Sequence, residues 1–229
     1  MCRAIVFDLD ETLYRERRFM LSGFLAVAHM VERLFAVPAA EAFALLRRAL
    51  ARGQRGTALQ ELCVRFGLPA QTVGEFRALI LGHQPRLRLP RESAAVLSKL
   101  RRDWKVGILT NGPAETQARK VAALGLVRKV DAIVYASDTG PGKPDPASFE
   151  TVLDRLDARA SESVFVGDDP WCDVFGARWV GMKTIRIHRG VHDRALAAPL
   201  YEADAVVGSL VAVPAVAAAL LRKAERRVA

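Results

Sequence analysis
The sequence predicts an α/β protein: a doubly wound parallel sheet with an all-α helical bundle inserted into it. Three observations carry this. Near the N-terminus, "AIVFDLDETLY" runs four apolar residues from Ala4 straight into Asp8 and Asp10, and an apolar run of that length reads as a buried strand. From about Leu87 onward, short apolar runs alternate with helical stretches, the pattern of βαβ units covered on both faces. Between these regions the periodicity is helical throughout. The first strand has no partner nearby, so it joins the later sheet and the bundle is an insertion.

Taken in order, the inserted stretches are Phe19–Ala36, stopped before Pro38, and Ala39–Arg52, stopped at Gly53. Gly56–Phe66 ends at Gly67 and Gln71–Leu81 ends at Gly82. Each carries apolar residues at three/four spacing and a Gly or Pro stop. About seventy residues in such a bundle are few for independent stability but enough when docked on a neighbour. In the alternating part, helices at Arg91–Arg102, Pro113–Leu124, Pro146–Leu156 and Pro170–Val180 precede strands at Lys105–Thr110, Ala132–Ala136, Ser163–Gly167 and Lys183–His188. The expected division is a Rossmann-like core of residues 1–14 and 87–229 and a helical insertion of residues 15–86.

The chain has 229 residues, 51 % hydrophobic and 7 % aromatic, which allows a sizeable core and argues against disorder. The first apolar stretch is short, carries Asp8 and lacks a small-residue cleavage site, so it does not read as a secretory leader. Cys2, Cys63 and Cys172 form no CxxC pair and are odd in number. They read as reduced thiols in a cytoplasmic protein. Ala205–Leu221 is uncharged, but Gly208, Ser209 and Pro214 interrupt it. A short strand, a turn and a helix with Pro214 near its start fit it better than a membrane span. The net charge is +9, which would suit an anionic partner. The arginines, however, are scattered over helical faces without aromatic interleaving, which argues against nucleic acid and leaves room for a small anionic substrate.

In a doubly wound sheet, functional groups gather beyond the carboxyl ends of the strands. Strand one ends in Asp8 and Asp10, with Thr12 beyond; the second ends in Thr110-Asn111-Gly112. The third leads into "SDTGPGKPDP", carrying Lys143, and the fourth ends in Gly167-Asp168-Asp169, with Asp173 one turn on. Carboxylates converging on one point repel each other and call for a cation, and all-oxygen ligation suits Mg²⁺. Lys143 can neutralise a phosphoryl group bridging to that ion. The Thr110 hydroxyl and the amides of Asn111-Gly112 can bind its remaining oxygens. A carboxylate at such a place can itself be a nucleophile and form an acyl phosphate.

At these residues the sequence resembles the haloacid dehalogenase-like superfamily. "DLDET" matches its DxDxT signature, "ILTNG" its hydrophobic run ending in Thr, "GKPDP" its lysine loop and "VFVGDDPWCD" its GDxxxxD signature. Four matches in order, each at an expected strand end, are highly specific. The inserted bundle falls where the first subfamily carries a helical cap, as in phosphoglycolate phosphatase-like members. The resemblance implies that Asp8 is the nucleophile and a metal ligand, and that Asp10 is the general acid/base, its carbonyl also on the metal. It implies that Thr110 and Lys143 hold the phosphoryl group, that Asp168 completes the ligands to Mg²⁺, and that Asp173 orders the groups around them. Asp169 competes for the place of Asp168 or Asp173. Gly142 stands where many relatives have a longer basic side chain.

The activity this implies is Mg²⁺-dependent hydrolysis of a small phosphorylated metabolite through an aspartyl phosphate. Phosphorylated sugars, short-chain acids and nucleoside monophosphates all stay open as substrates. A dehalogenase relative would not need Asp10. A phosphonatase relative would use a cap lysine, and Arg15–Leu81 has none. A sugar-phosphate mutase shares the nucleophile and the acid/base and stays open. A phospho-acceptor module of the receiver type disagrees on the DxD position and on the insertion. A basic nucleic-acid-binding protein is the third class. In the bundle, "ARGQRGT" sets Arg52 and Arg55 among glycines between two helices, either as a solvated connector or as a loop reading the leaving group. Tyr14, Arg17, Arg18 and His83 flank the junctions and are weaker candidates of the same kind. Thr12 has a turn-forming hydroxyl or a transition-state role. His188 and His192 are expected in a surface loop, Cys172 as a packed side chain, and Trp171 and Trp179 as core or cap contacts.

Overall fold
The structure is a computed structural model that describes residues 3–188 and 201–228; Cys2 and His192 lie outside the described residues. It contains a six-stranded parallel sheet in the order β3-β2-β1-β4-β5-β6. The strands are β1 (Ala4–Phe7), β2 (Lys105–Thr110), β3 (Ala132–Tyr135), β4 (Ser163–Gly167), β5 (Lys183–Ile187) and β6 (Ala205–Val207). β1 lies at the centre, with Phe7 level with Ile108 of β2 on one side and Val166 of β4 on the other. Its four residues are fully buried, which explains the unbroken apolar run: a strand covered on both faces has no solvent side to alternate with.

Two sets of helices cover the sheet. α7 (Pro146–Leu156) packs on β1–β3 and on α8 (Gly176–Trp179), which also meets β5. α5 (Arg91–Leu100) packs on β2 and on α9 (Val213–Val228), which meets β5. α6 (Ala114–Ala123) flanks β3. Val6, Leu109, Val134 and Phe165 from four strands meet Phe149, Val152 and Leu153 of α7 in one apolar cluster. Phe149 and Phe165 pack edge to face at 5.2 Å.

The insertion comprises α1 (Arg17–Phe35), α2 (Ala39–Ala51), α3 (Ala58–Phe66) and α4 (Thr72–Gly82). α1 packs on α2 and α4, and α3 bridges α2 and α4. The turns follow the punctuation in the sequence: Ala36 closes α1 and Gly67 closes α3 in the left-handed conformation. Phe24, Val27, Leu46, Leu62 and Phe76 are buried. The chain divides into two compact units, residues 1–15 with 88–229 and residues 16–87.

Three expectations need correction. The stretch Pro170–Val180 is not one α-helix. It begins as a wide π-type turn over Pro170–Phe175 and becomes α-helical only at Gly176, because Asp169 caps the turn by accepting hydrogen bonds from the Trp171 and Cys172 amides. Trp171 and Trp179 are not core residues; they are 45 % and 69 % exposed, in an aromatic row with Phe175. Ala136 leaves β3 to begin a 3₁₀ turn over Ala136–Asp138. No helix among the described residues is long and apolar enough to cross a membrane. Cys63 and Cys172 are free thiols, and the exposed His188 donates its backbone N–H to Val207 just after β5.

Candidate active site
The Asp8 amide donates to the Val166 carbonyl at 2.9 Å. One more rung of the β1–β4 ladder is thereby added, and the Asp8 carboxylate is fixed at the sheet edge. Lys143 arrives from the loop after β3. Asn111, just past β2, pins that loop: its side-chain amide donates to the Lys143 carbonyl, and its oxygen accepts from the Lys143 amide, both at 2.9 Å. The Lys143 Nζ then donates to Asp8 Oδ1 at 2.6 Å and to Asp173 Oδ1 at 2.7 Å, over the ring of Phe165. The other oxygen of Asp173 accepts from the Asp169 amide at 3.0 Å. Asp173 therefore spans the turn it sits on and the lysine. Gly167 is needed for this: a Cβ there would stand 2.2 Å from the Asp173 carboxylate.

Asp8, Asp168 and Asp173 are buried and offer carboxylate oxygens within 4.8 Å of one another. Three carboxylates share one ammonium, and the imbalance shows in their acidities. Burial, then the neighbouring Asp173 and Asp10 charges, raise Asp8 to about 7 against the pull of Lys143. Burial, then Asp8, Asp173 and Asp169, push Asp168 up to about 9. Burial works against the charge of Lys143, but Asp173 and Asp8 outweigh it and hold the ammonium protonated. Asp168 Oδ2 is buried with no hydrogen-bond partner among the described residues, while Arg186 Nε donates to the Asp168 carbonyl at 3.2 Å. An orphaned carboxylate oxygen in an oxygen-only, anion-rich cluster fits a hard divalent cation.

Asp10 points elsewhere. Its Oδ1 accepts from the Tyr14 hydroxyl at 2.5 Å and from Lys120 Nζ at 2.9 Å. Its Oδ2 accepts from Lys120 Nζ at 2.8 Å and from Gln117 Nε2 at 2.9 Å. The Gln117 amide also donates to the Thr110 hydroxyl at 2.5 Å. Gln117 and Lys120 are buried, three residues apart on α6. Sequence reasoning missed both. The signal was a Gln and a Lys at positions 117 and 120, on the inward stripe shared with Val121 and Leu124, where an amphipathic helix ordinarily carries apolar groups.

The sheet edge therefore brings together Asp8, Asp10, Thr110, Asn111, Lys143, Asp168 and Asp173. Asp169 faces away, accepting the two amides of the turn after β4. Gly112 has φ +115° and lies under the Gln117 side chain, a conformation that favours glycine. Thr12 is fully buried. In the helical unit, Arg52 Nη2 donates to both carboxylate oxygens of Glu61 at 2.8 and 2.9 Å, and Arg55 pairs with Glu16 through both terminal nitrogens. His83 is buried, with Nδ1 2.6 Å from the Ile80 carbonyl, and Arg17 and Arg18 are exposed.

A parallel α/β sheet with an acid-rich strand-end cluster defines a class of nucleotide- and phosphate-handling folds rather than one activity, and comparison with known proteins narrows it. A family model described as haloacid dehalogenase-like hydrolase matches residues 2–181. The chain belongs to that family. It is 33 % identical over 202 residues to ribulose-1,5-bisphosphate 5-phosphatase of Halopiger xanaduensis, covering 81 % of this chain and 84 % of that one. It is 29 % identical over 224 residues to phosphoserine phosphatase of Thermus thermophilus, covering 82 % and 90 %. Among solved structures, 2-haloacid dehalogenase from Pseudomonas syringae pv. Tomato superposes with a TM-score of 0.65 at 28 % identity, covering 96 % of this chain and all of that one.

Proposed function
We propose that the protein is a Mg²⁺-dependent phosphomonoesterase acting on a small phosphorylated metabolite through an aspartyl phosphate on Asp8. The relatives named above divide between phosphatases and a dehalogenase, and one observation favours the first: Asp10 is retained and its carboxylate is held by Tyr14, Gln117 and Lys120. A halide leaves without a proton, whereas an alkoxide needs one. A proton donor for the leaving group has a task in phosphate-ester cleavage and none in halide displacement.

In the first step an Asp8 oxygen attacks phosphorus as the bond to the leaving oxygen breaks, and the carboxyl of Asp10 protonates that oxygen. In the second step the Asp10 carboxylate takes a proton from water while the water oxygen attacks phosphorus. The bond to Asp8 breaks, phosphate leaves and both carboxyls return to their starting states. Lys143 and the Thr110 hydroxyl bind phosphoryl oxygens, with the Asn111-Gly112 amides beside them. Asp8 and Asp168 side chains and the Asp10 carbonyl would hold Mg²⁺, which supplies charge neutralisation when the anionic substrate meets the anionic cluster. Asp173 keeps Lys143 in place. Residues 15–86 serve as the substrate-selecting cap of a catalytic core formed by residues 1–14 and 87–229, and the protein works in the cytoplasm. Phosphorylated sugars or short-chain acids fit the names of the relatives.

The test pairs two assays on one preparation: hydrolysis of p-nitrophenyl phosphate with and without Mg²⁺, and halide release from 2-chloropropionate. Metal-dependent phosphate release without halide release is expected. Halide release without phosphatase activity would overturn the reading.

A further inference from the structure
The four hydrogen bonds on Asp10 go beyond what general acid/base chemistry requires. A carboxylate that must give and take a proton needs to be reachable, yet here both oxygens are occupied by protein donors. Lys120 is buried, with its side chain 4 % exposed, and a buried ammonium is costly without a partner. A surface lysine would suffice if the need were only for a nearby positive charge.

The amide of Gln117 supplies a second observation. Gln117 Nε2 stands 2.9 Å from Asp10 Oδ2, so the donating end of the amide faces Asp10. That nitrogen has two hydrogens and a second acceptor within reach, the Thr110 hydroxyl at 2.5 Å. Thr110 thereby accepts from Gln117, and its own hydrogen is left to point away from α6. A hydroxyl so fixed is a donor toward a phosphoryl oxygen. One side chain therefore sets the polarity of Thr110 and the orientation of Asp10 together.

We propose that Lys120, with Gln117 and Tyr14, forms a positioning triad that holds the Asp10 carboxylate in the orientation needed for proton transfer and couples it through Gln117 to the phosphoryl-binding hydroxyl of Thr110. Its hydrogen bonds to Asp10 and Thr110 are the route by which it acts. This inference rests on the phosphatase reading above.

Two esters separate its effect from a structural one. The p-nitrophenolate ion leaves with little help, whereas the alkoxide of β-glycerophosphate needs the proton of Asp10. kcat/KM reports the steps through the first chemical one, so the ratio of the two losses isolates leaving-group protonation. Lys120→Met should lower kcat/KM for β-glycerophosphate by about a hundredfold, the order expected when a general acid is misplaced by about an ångström. It should lower kcat/KM for p-nitrophenyl phosphate by only about threefold. For that aryl ester kcat should also fall and a burst of p-nitrophenol should precede the steady state, because hydrolysis of the Asp8 acyl phosphate still needs Asp10 as base. Lys120→Arg should recover part of the loss. Adding Lys120→Met to Asp10→Asn should cost almost nothing further, since Lys120 is proposed to act on the chemistry through Asp10.

Equal losses on both esters, or losses that add to those of Asp10→Asn, would overturn the proposal and leave Lys120 a structural ion-pair partner. A gain in activity would overturn it in the other direction, making the triad a lock. Should Lys120→Met fail to fold, Tyr14→Phe undergoes the same two-ester comparison with the same expected asymmetry, while Gln117→Leu, which also releases Thr110, should lower kcat/KM for both esters and for the glycerol ester more. A parent protein inactive on both esters overturns the phosphatase reading and the proposal with it; an active parent with symmetric variants overturns the proposal alone.

Discussion

Asp8 and Asp10 stand two residues apart at the end of the same strand, yet their surroundings are opposite in kind. Asp8 shares one ammonium with Asp168 and Asp173, and its acidity is weakened by burial and by those neighbours. Asp10 accepts from an ammonium, a phenol and an amide. The first environment is incomplete in charge and calls for a cation from outside. The second is complete within the protein. The contrast matches the roles proposed for them: a nucleophile has to be unsatisfied until its substrate and metal arrive, whereas a proton-transfer group has to be aimed.

The sharpest test of that contrast is substitution at Asp8. Asp8→Asn should reduce turnover by at least about a thousandfold, since the amide keeps the shape and loses both nucleophilicity and charge. The same change should raise the metal-free melting temperature by a few degrees at pH 8, because it removes a carboxylate whose ionisation is disfavoured in the folded state. Activity within tenfold of the parent, or a lowered metal-free melting temperature, would break the comparison at its first term.

Metal removal comes next. Exhaustive chelation should abolish phosphate release, and Ca²⁺ in place of Mg²⁺ should leave about a tenth of the activity or less, because Ca²⁺ takes more ligands at longer distances. Full activity after chelation would count against the assignment of the acidic cluster.

Binding of Mg²⁺ without substrate should follow pH, and the sign comes from the raised acidities. With Asp8 at about 7 and Asp168 at about 9, both carboxyls hold protons below pH 7 that the ion must displace. Affinity, read by calorimetry, should rise roughly ten- to a hundredfold per pH unit below 7 and less steeply between 7 and 9. The metal-free fold follows the same linkage in the other direction. Folded Asp8 and Asp168 keep protons that the unfolded chain loses near pH 4, so stability falls as pH rises from about 4 to about 9. The melting-temperature gain on adding Mg²⁺ should therefore be larger at pH 8 than at pH 5. A gain independent of pH would place the ion elsewhere.

The smallest expected effect lies in the helical unit. Arg55 is already neutralised by Glu16, and exposed pairs of this kind contribute about 0–1 kcal/mol. Arg55→Ala should change kcat/KM on a panel of phosphorylated metabolites by no more than about threefold. A loss of about tenfold or more on one metabolite alone, with the aryl ester unaffected, would restore Arg55 as a leaving-group reader.

Much of the sheet and its edge was legible because a parallel strand advertises itself as an apolar run, and its carboxyl end is where the run stops. Asp8, Thr110 and Asp168 each stand at such a stop, and the loop bearing Lys143 follows another. The division of labour between Asp169 and Asp173 was not legible, because it depends on a π-type turn that rotates the first outward and the second inward. Nothing in PWCDVF distinguishes that turn from an ordinary helical one. Gln117 and Lys120 were hidden for a different reason. Their helix has the length and capping of any crossover, and only the burial of its polar side chains, Thr116 among them, marks it.

Gly167 contributes no functional group, yet the space above its Cα is already occupied by the Asp173 carboxylate, which holds Lys143. A methyl group there would have to evict that carboxylate. In a saturation library selected for turnover, position 167 would therefore look like an essential residue. Activity data alone would group it with Asp8, although its role is to be empty. Engineering the fourth strand for stability has to stop one residue short of its end.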